Sequence, residues 1–509
     1  MFKPISIVIT LAIALGTTSG QALAKFKSSV TIAAPWEVAS YDPAVSGFVI
    51  QKLQIMENLI DADETGKLRP SLATKWKASD DGLTWEFSLR NDVLFHDGSN
   101  FDANAAVFSL KRAWEKPGVL KKAPITDIFS KDDKVIVSLK SPFAALPAFL
   151  AHATTVIPAP STINAEGQSI ALIGTGAFSV SKFTPPQSIS LIRNEKYWGD
   201  KAKLETATYL AAGRAETRAL LAESGDADIV FTLDAAGYSH LKHVETIQTF
   251  AVPIPRVVVL KVNAGHPFFK DTKARQALSL AIPRDGIARA ITRFPESAAD
   301  QLFPPALNQW HSPNIKPLTT DIKKANALLA DIGWTKGDDG ILMRNGKRFS
   351  ITLRTFPDRP ELPLIATALQ DQWREIGIEL EVSVANYSEI PAGHQDGSLD
   401  TALYARNYGL TPDPIGSVLQ DFSQGGGDWG AMGWENQTVA DALMTIASTT
   451  DQDLRRKKIA IVVDSLQQEL PVIPVVWYQH TVSVNANLKD VVIDPLQRSY
   501  GLSKMYWAD

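Results

Sequence analysis

The feature that most constrains the fold is the alternation of strand-like and helix-like segments along the whole chain. Residues 28–33 (SSVTIA), 84–89 (TWEFSL) and 134–139 (KVIVSL) alternate in the manner of strands with one buried face. Residues 103–114 instead place their apolar side chains on one helical stripe, with Asp102 before them as an N-cap. Alternation of this kind predicts an α/β protein.

Two further helices are predicted to end at glycines. Residues 323–332 and 362–376 have helical periodicity, and Gly333 and Gly377 follow them directly. A glycine in this position ends a helix because it adopts the left-handed conformation without steric cost. The strand predicted for residues 378–382 then follows the second helix.

The chain of 509 residues contains no internal repeat and no low-complexity linker. Its length suggests two or three domains, and tandem independent domains usually leave a polar, Pro/Gly-rich boundary between them. The absence of such a boundary predicts two lobes connected by more than one crossing of the chain.

The N-terminus has the pattern of a secretory signal peptide. Lys3 precedes an apolar run over residues 5–15, and Ala22-Leu23-Ala24 then matches the small-x-small cleavage pattern. The run is shorter than the roughly 20 residues that a membrane-spanning helix needs. We therefore expect export, with cleavage after Ala24, rather than a membrane anchor.

Composition excludes several classes of protein. There is no cysteine, so thiolate metal sites, thiol nucleophiles, disulfides and the lipid attachment of a lipoprotein are all ruled out. Lysine plus arginine (51) nearly balances aspartate plus glutamate (55), and no stretch is basic enough to indicate a nucleic-acid partner. A free periplasmic protein is expected.

Motifs for catalysis, cofactors and metals are not found. The sequence lacks a phosphate-binding GxxxxGK[ST] loop, an HExxH zinc motif and a GxSxG nucleophile elbow. His240 and His243 have helical i,i+3 spacing but no further ligand, which is typical of a solvated helix face. Acidic pairs such as Asp80-Asp81 precede glycine and read as turns. We expect no enzyme activity, no cofactor and no metal ligands.

Several ordered segments resemble one protein family over nearly the whole mature chain. They are residues 57–60 (ENLI), 68–76, 79–90, 93–98, 173–178 (IGTGAF), 193–199 (RNEKYWG), 225–229, 275–282, 325–334, 377–380 and 469–475. In this order they resemble the large bacterial extracellular solute-binding proteins of family 5, also called cluster C. Members of that family bind oligopeptides, dipeptides, nickel complexes, opines or other small ligands.

The resemblance implies an α/β fold of the periplasmic binding protein type II kind, a Venus flytrap of two α/β lobes with an extra subdomain and an inter-lobe cleft. It implies this division: signal peptide 1–24, lobe I with the extra subdomain 25–262, lobe II 263–477, and a return segment 478–509 that completes lobe I. The apolar runs at residues 257–262 and 474–478 are the expected inter-lobe segments. A monomer is expected, delivering its ligand to the permease subunits of an ABC importer and so, indirectly, to its ATPases.

Asp413 is the predicted partner of a ligand amine. In peptide-binding relatives an aspartate follows an aromatic- and glycine-containing stretch and pairs with the α-amine, and residues 406–414 (RNYGLTPDP) match that stretch. Leu410 and Thr411 depart from the more polar residues of dipeptide binders. An equal alternative is that Asp413 caps a proline-rich turn.

Arg406, Tyr408 and Trp36 are the other predicted cleft residues, the arginine for a carboxylate and the aromatic rings for apolar walls. The alternative places the rings in the core and Arg406 on a surface turn. The sequence predicts a periplasmic binder of peptides or peptide-like solutes. The competing ligand is nickel or another metal, and because residues 420–434 contain no histidine, it would arrive as a chelate or an opine-type metallophore. A periplasmic hydrolase is a remote alternative.

Overall fold

The structure, a computed structural model, describes residues 27–508 with the exception of 117, 358 and 425. The predicted signal peptide and the cleavage after Ala24 lie outside these residues. No helix among the described residues is both long enough and apolar enough to cross a membrane.

The strands are short, with two exceptions. In chain order they are β1 (Ser29–Ala34), β2 (Ile60–Ala62), β3 (Leu68–Pro70), β4 (Ala73–Ala78), β5 (Thr84–Leu89), β6 (Ile125–Lys131), β7 (Lys134–Leu139), β8 (Phe178–Thr184), β9 (Ser188–Arg193), β10 (Thr206–Ala211), β11 (Ile229–Phe231), β12 (Ile247–Val262), β13 (Thr335–Lys336), β14 (Leu342–Arg344), β15 (Lys347–Arg348), β16 (Ser350–Thr355), β17 (Glu379–Val384), β18 (Thr401–Asn407), β19 (Val472–Asn485), β20 (Leu488–Lys489) and β21 (Tyr506–Trp507).

The α-helices lie between these strands. They are α1 (Pro43–Lys52), α2 (Ala103–Glu115), α3 (Leu146–Phe149), α4 (Ala215–Ser224), α5 (Ala235–Leu241), α6 (Thr272–Leu280), α7 (Arg284–Ile287), α8 (Ile322–Asp331), α9 (Glu361–Glu375), α10 (Glu389–Gln395), α11 (Ile415–Phe422), α12 (Gln437–Ser448) and α13 (Gln452–Glu469). The predicted strands and helices are confirmed, and Gly333 and Gly377 have φ angles of 87° and 82°.

One ten-stranded sheet runs through the molecule in the order β17-β16-β18-β12-β19-β11-β1-β10-β9-β8. We call the half with β1 and β8–β11 lobe I and the half with β16–β18 lobe II. β1 pairs in parallel with β10 and β11, and β16 in parallel with β17 and β18. The predicted α/β architecture of two lobes is confirmed.

The two long strands, β12 and β19, connect the lobes. At one end Ile247 pairs with Asn485, and at the other Lys261 pairs with Val472. Their ladder is interrupted between Pro253 and Val257, so residues 254–256 have no partner on β19. Prolines at 253 and 255 explain the interruption because proline has no N–H to donate.

The predicted inter-lobe runs, 257–262 and 474–478, lie within these two strands, mostly on the lobe II side of the interruption. β12 ends at residue 262, where lobe II was predicted to begin, whereas β19 continues without a break through 478. The predicted lobe boundaries stay a prediction.

A separate four-stranded sheet, in the order β4-β5-β7-β6, forms the extra subdomain together with α2. The carboxylate of Asp102 accepts the N–H of Ala105 and caps α2, as predicted. The subdomain shares one continuous hydrophobic core with lobe II, whereas lobe I has a core of its own. The backbone N–H of Ala144 also donates to the carbonyl of Ala447 at 2.7 Å. The subdomain and lobe II are therefore in direct contact.

Candidate ligand-binding cleft

A cavity of about 740 Å³ lies where β19 passes between the lobes. One wall is formed by residues 233–236 of lobe I, which follow β11. The other wall is formed by residues 290–294 and by α9 of lobe II, and residues 476–479 of β19 form the floor. This volume is within the range of small-molecule sites. The position between two lobes is that of a cleft.

A polar cluster surrounds Tyr478 in this region. The hydroxyl of Tyr478 donates to the carboxylate of Glu361. The guanidinium groups of Arg256 and Arg359 each lie 5.5 Å from the centroid of the Tyr478 ring. Burial, with some repulsion from Arg359, lowers the pKa of Arg256 to about 9. Two cations thus approach one ring and one buried acid.

Lys52, the last residue of α1, ends in a cage of aromatic rings. Its Nζ lies 3.9 Å from the ring centroid of Phe48, 4.2 Å from that of Trp36 and 5.3 Å from that of Tyr500. The residue is 1% exposed, and burial holds the pKa of Lys52 well below its usual value. Trp36, a predicted cleft residue, is thus one wall of a lysine cage.

His480 lies beside this cage on β19. Its ring centroid is 6.4 Å from that of Trp36 and 5.3 Å from that of Phe231. Both ring nitrogens are buried without a hydrogen-bond partner among the described residues. Burial, together with repulsion from Lys52 and Arg256, keeps the pKa of His480 well below the usual value, so the imidazole is neutral at pH 7.

Arg406 and Tyr408, both predicted cleft residues, lie together in lobe II. The Nε and Nη2 of Arg406 donate to the two carboxylate oxygens of Asp421, each at 2.7 Å. Burial lowers and the Asp421 carboxylate raises the pKa of Arg406, and the carboxylate prevails. Tyr408 is 1% exposed and packs against Phe303. The bidentate fork that was predicted for a ligand carboxylate is occupied by Asp421.

Lys122, which lies between α2 and β6 of the subdomain, contacts this group. Its Nζ donates to the side-chain carbonyl of Gln420 at 2.8 Å. Burial and repulsion from Arg406 lower the pKa of Lys122. His152, whose pKa is lowered to about 4 mainly by burial and secondarily by Lys122, also lies here. The subdomain and lobe II therefore meet beside Arg406.

Asp413 lies elsewhere and already has a cation partner. One of its oxygens accepts the N–H of Ile415 at 3.0 Å, at the start of α11. The other pairs with Arg455 of α13, whose side chain is 6% exposed and which also donates to the carbonyl of Ile446 at 2.7 Å. These contacts favour the alternative in which Asp413 caps a turn, while its role toward a ligand amine stays a prediction.

The four predicted site residues thus fall into three groups of contacts: Trp36 with Lys52, Arg406 with Tyr408, and Asp413 with Arg455. Sequence reasoning did not select Lys52, His480 or Arg256. Their sequence neighbours gave no signal, because Gln51 precedes Lys52 and His480 lies between Gln479 and Thr481.

Three of the ordered sequence segments meet at Glu57. Its carboxylate accepts hydrogen bonds from the Thr175 hydroxyl at 2.8 Å, the Trp198 indole at 2.9 Å and the Tyr197 hydroxyl at 2.9 Å. Burial raises the pKa of Glu57 to about 6, against these three hydrogen bonds. The segments ENLI, IGTGAF and RNEKYWG therefore join one another around a buried carboxyl.

No group of three or more potential metal ligands is found among the described residues. His240, one of the two histidines at helical spacing, is exposed and contacts Glu223 at 3.0 Å. It lies on a solvated helix face, as the sequence indicated.

Comparison with known proteins extends this picture. Residues 67–429 match the family described as bacterial extracellular solute-binding proteins, family 5. The chain belongs to this family. Among family relatives, the glutathione-binding protein GsiB of Escherichia coli K12 is 24% identical over 456 residues, 86% of each chain. The nickel-binding periplasmic protein of the same strain is 28% identical over 414 residues, 76% of each chain.

Solved structures share the fold of this family 5 protein. NikA of Brucella suis, in complex with Fe(III)-EDTA, superposes with a TM-score of 0.85 at 22% identity, covering 94% of this chain and 99% of that one. The oligopeptide-binding protein AppA of Bacillus subtilis, in complex with a nonapeptide, gives 0.74 at 21% identity, covering 95% and 99%. Periplasmic export is typical of the family.

Proposed function

We propose that this family 5 protein is the periplasmic capture component of an ABC importer, that it binds peptides or peptide-like solutes between its lobes, and that it delivers them to the permease. The observation that carries the proposal is the pair of long strands that joins two α/β lobes across a cavity of ligand size. Closure of two lobes over a solute gives a permease a shape to recognise, because ligand contacts with both lobes favour the closed state.

The proposal includes four finer points that rest on the sequence. The signal peptide is cleaved after Ala24, the mature protein is a monomer free in the periplasm, it catalyses no reaction, and Trp36, Arg406, Tyr408 and Asp413 are its candidate ligand-binding residues. Trp36 lies over the ammonium of Lys52, and neither residue lines the cavity between the lobes. Each of the other three contacts a group of the protein itself: Arg406 pairs with Asp421, Tyr408 packs against Phe303, and Asp413 pairs with Arg455.

A chelated metal is the second candidate ligand. The nickel-binding relative and the bound Fe(III)-EDTA of the Brucella suis protein favour it. Since no cluster of metal-ligating side chains is found in the described part of the chain, the metal would be held by its own chelator.

Native purification tests the proposal. The protein is isolated from its host without denaturation, and the co-purified small molecules are identified by mass spectrometry, with metals measured in parallel. We expect a peptide or peptide-like solute in stoichiometric amount. A metal with an organic chelator would favour the second candidate, and turnover of an added peptide library would refute the binding function in favour of a hydrolase.

A further inference from the structure

We infer that Lys261 and His394 form an acid-sensitive clasp in lobe II: only one proton fits between their side-chain nitrogens, and a second proton releases α10 from β12. Lys261 lies near the end of β12, and His394 lies near the end of α10. The Nζ of Lys261 is 2.6 Å from the Nδ1 of His394. Neither residue lines the cavity between the lobes.

The ammonium of Lys261 is enclosed by acceptors. The residue is 0% exposed and lies inside the ten-stranded sheet, where it pairs with β18 on one side and β19 on the other. Its Nζ donates to the carbonyl of Asp428 at 2.8 Å and to that of Gly427 at 3.4 Å. An ammonium has three N–H donors and no acceptor, so the two carbonyls and the His394 ring together satisfy it. One of its three acceptors is therefore a group that acid can protonate.

The contact fixes the state of the His394 ring. An imidazole accepts a hydrogen bond only through a nitrogen that carries no proton, so the ring is neutral and its proton is on Nε2. Protonation of Nδ1 would set an N–H group against the ammonium of Lys261 at 2.6 Å, which two donors cannot maintain. Because the ring is only partly buried, it can turn toward water once it is charged. The end of α10 then loses its contact with β12.

The charged groups near His394 act in both directions. Burial, followed by repulsion from Lys261, lowers the pKa of His394, whereas attraction to Asp428 raises it, and the lowering prevails. The carboxylate of Asp428 accepts a hydrogen bond from Gln395, the next residue of α10, at 3.2 Å. Arg354 of β16 also lies against α10, but it donates to the backbone carbonyls of residues 389 and 398. Asp428 is thus the carboxylate that favours the charged ring.

Lys261 takes up the first of the two protons. Burial lowers the pKa of Lys261 to about 7, and the carboxylates of Asp421 and Asp428 oppose this shift. Arg406 of β18 adds a smaller repulsion, and it is itself paired with Asp421 of α11. The first proton is compatible with the contact because every near neighbour of the ammonium is an acceptor. The second proton, on His394, is not.

Acid weakens the clasp because the His394 ring binds a proton more readily when α10 is released. The clasp is complete above the ordinary pKa of histidine, 6.5, and it is lost as the pH falls through the lower pKa of His394 in the folded protein. Each release takes up one proton, so the released population should grow by up to about tenfold for each pH unit.

Hydrogen exchange of the mature protein, followed by mass spectrometry between about pH 7 and about pH 4.5, tests the clasp. Rates are corrected for the intrinsic pH dependence of amide exchange. Peptides that cover α10 should lose protection as the pH falls, by up to about tenfold for each pH unit, while those that cover α2 of the subdomain should not. The measurement uses no ligand, so its outcome is independent of the proposed solute-binding function.

Three variants assign the effect to the two residues. His394→Gln keeps an acceptor for Lys261 that acid does not protonate, so α10 should keep its protection over the whole range. Asp428→Asn removes the attraction that favours the charged ring, so the loss of protection should move to lower pH. His243→Gln is the matched control, because His243 is an exposed histidine just after α5, and it should behave as the parent does.

Constant protection of α10 across this pH range in the parent overturns the clasp without reference to any variant. The same loss of protection in the parent and in His394→Gln also overturns it. If His394→Gln fails to fold, Asp428→Asn still decides, because a transition that stays in place or moves to higher pH contradicts the role of the ring. A purely structural role of Asp428 would not move the transition to lower pH.

Discussion

Substitution of Asp413 separates the two roles considered for this residue. If its carboxylate mainly serves the fold, its loss will lower the free energy of unfolding. If it mainly meets a ligand amine, its loss will lower affinity and leave stability unchanged. The structure favours the first, because one carboxylate oxygen accepts the N–H of Ile415 and the other pairs with Arg455.

The magnitude follows from these two contacts. Removing one partner of a fully buried ion pair costs ~3–5 kcal/mol. The side chain of Asp413 is 23% exposed, so Arg455 retains some access to water, and we expect Asp413→Asn to cost about 2 kcal/mol. Asp413→Ala also removes the acceptor at the start of α11, which adds about 1 kcal/mol, for a total of about 3 kcal/mol.

Urea unfolding of the mature protein, followed by far-UV circular dichroism, measures these values. Asp453→Ala is the matched control, since Asp453 pairs with Arg456 on the same helix as Arg455, but with both side chains more than 70% exposed; little change is expected there. Unfolding curves of both Asp413 variants that coincide with that of the parent would refute the reasoning. Weaker ligand binding at unchanged stability would support the amine-partner role instead.

Three further outcomes are expected. Because the folded pKa of Glu57, about 6, lies above its ordinary value of 4.5, the stability contributed by the protonated carboxyl is complete below pH 4.5 and is lost as the pH rises through 6. Glu57→Gln should remove this fall from the unfolding free energies measured between about pH 4 and pH 7. Gly416→Val should lower the free energy of unfolding by roughly 1–3 kcal/mol, since a Cβ at Gly416 would lie 2.7 Å from the Phe149 ring; an unchanged midpoint in urea unfolding would show that the contact yields without cost. Asp421→Asn should cost about 3 kcal/mol in urea unfolding by leaving Arg406 unpaired, and equal stability would show that the pair contributes little.

Much of the fold was predictable from local pattern. Strands such as 84–89 and helices such as 103–114 and 362–376 carry their periodicity within a few residues. Asp102 marks the start of the first of these helices, and Gly377 marks the end of the second. These signals depend on the backbone and its immediate neighbours, so they survive without knowledge of the tertiary structure.

The site was less predictable because its geometry depends on distant segments. Lys52 and His480 come from opposite ends of the chain and meet only after folding. Arg406 illustrates the converse: its type suited a carboxylate, as predicted, but the carboxylate beside it in the structure is Asp421. Composition and spacing cannot distinguish an internal partner from a ligand when both present the same functional group.

The gap that Pro253 and Pro255 leave in the β12–β19 ladder has a consequence for the thermodynamics of transport. A hinge in a complete ladder would break hydrogen bonds whenever the lobes rotated, and each opening would carry that cost. Here residues 254–256 have no bonds to β19 to lose, so the open and closed forms can lie close in free energy. A solute then needs little of its binding energy to shift the balance, and a permease needs little to reverse it and release the cargo.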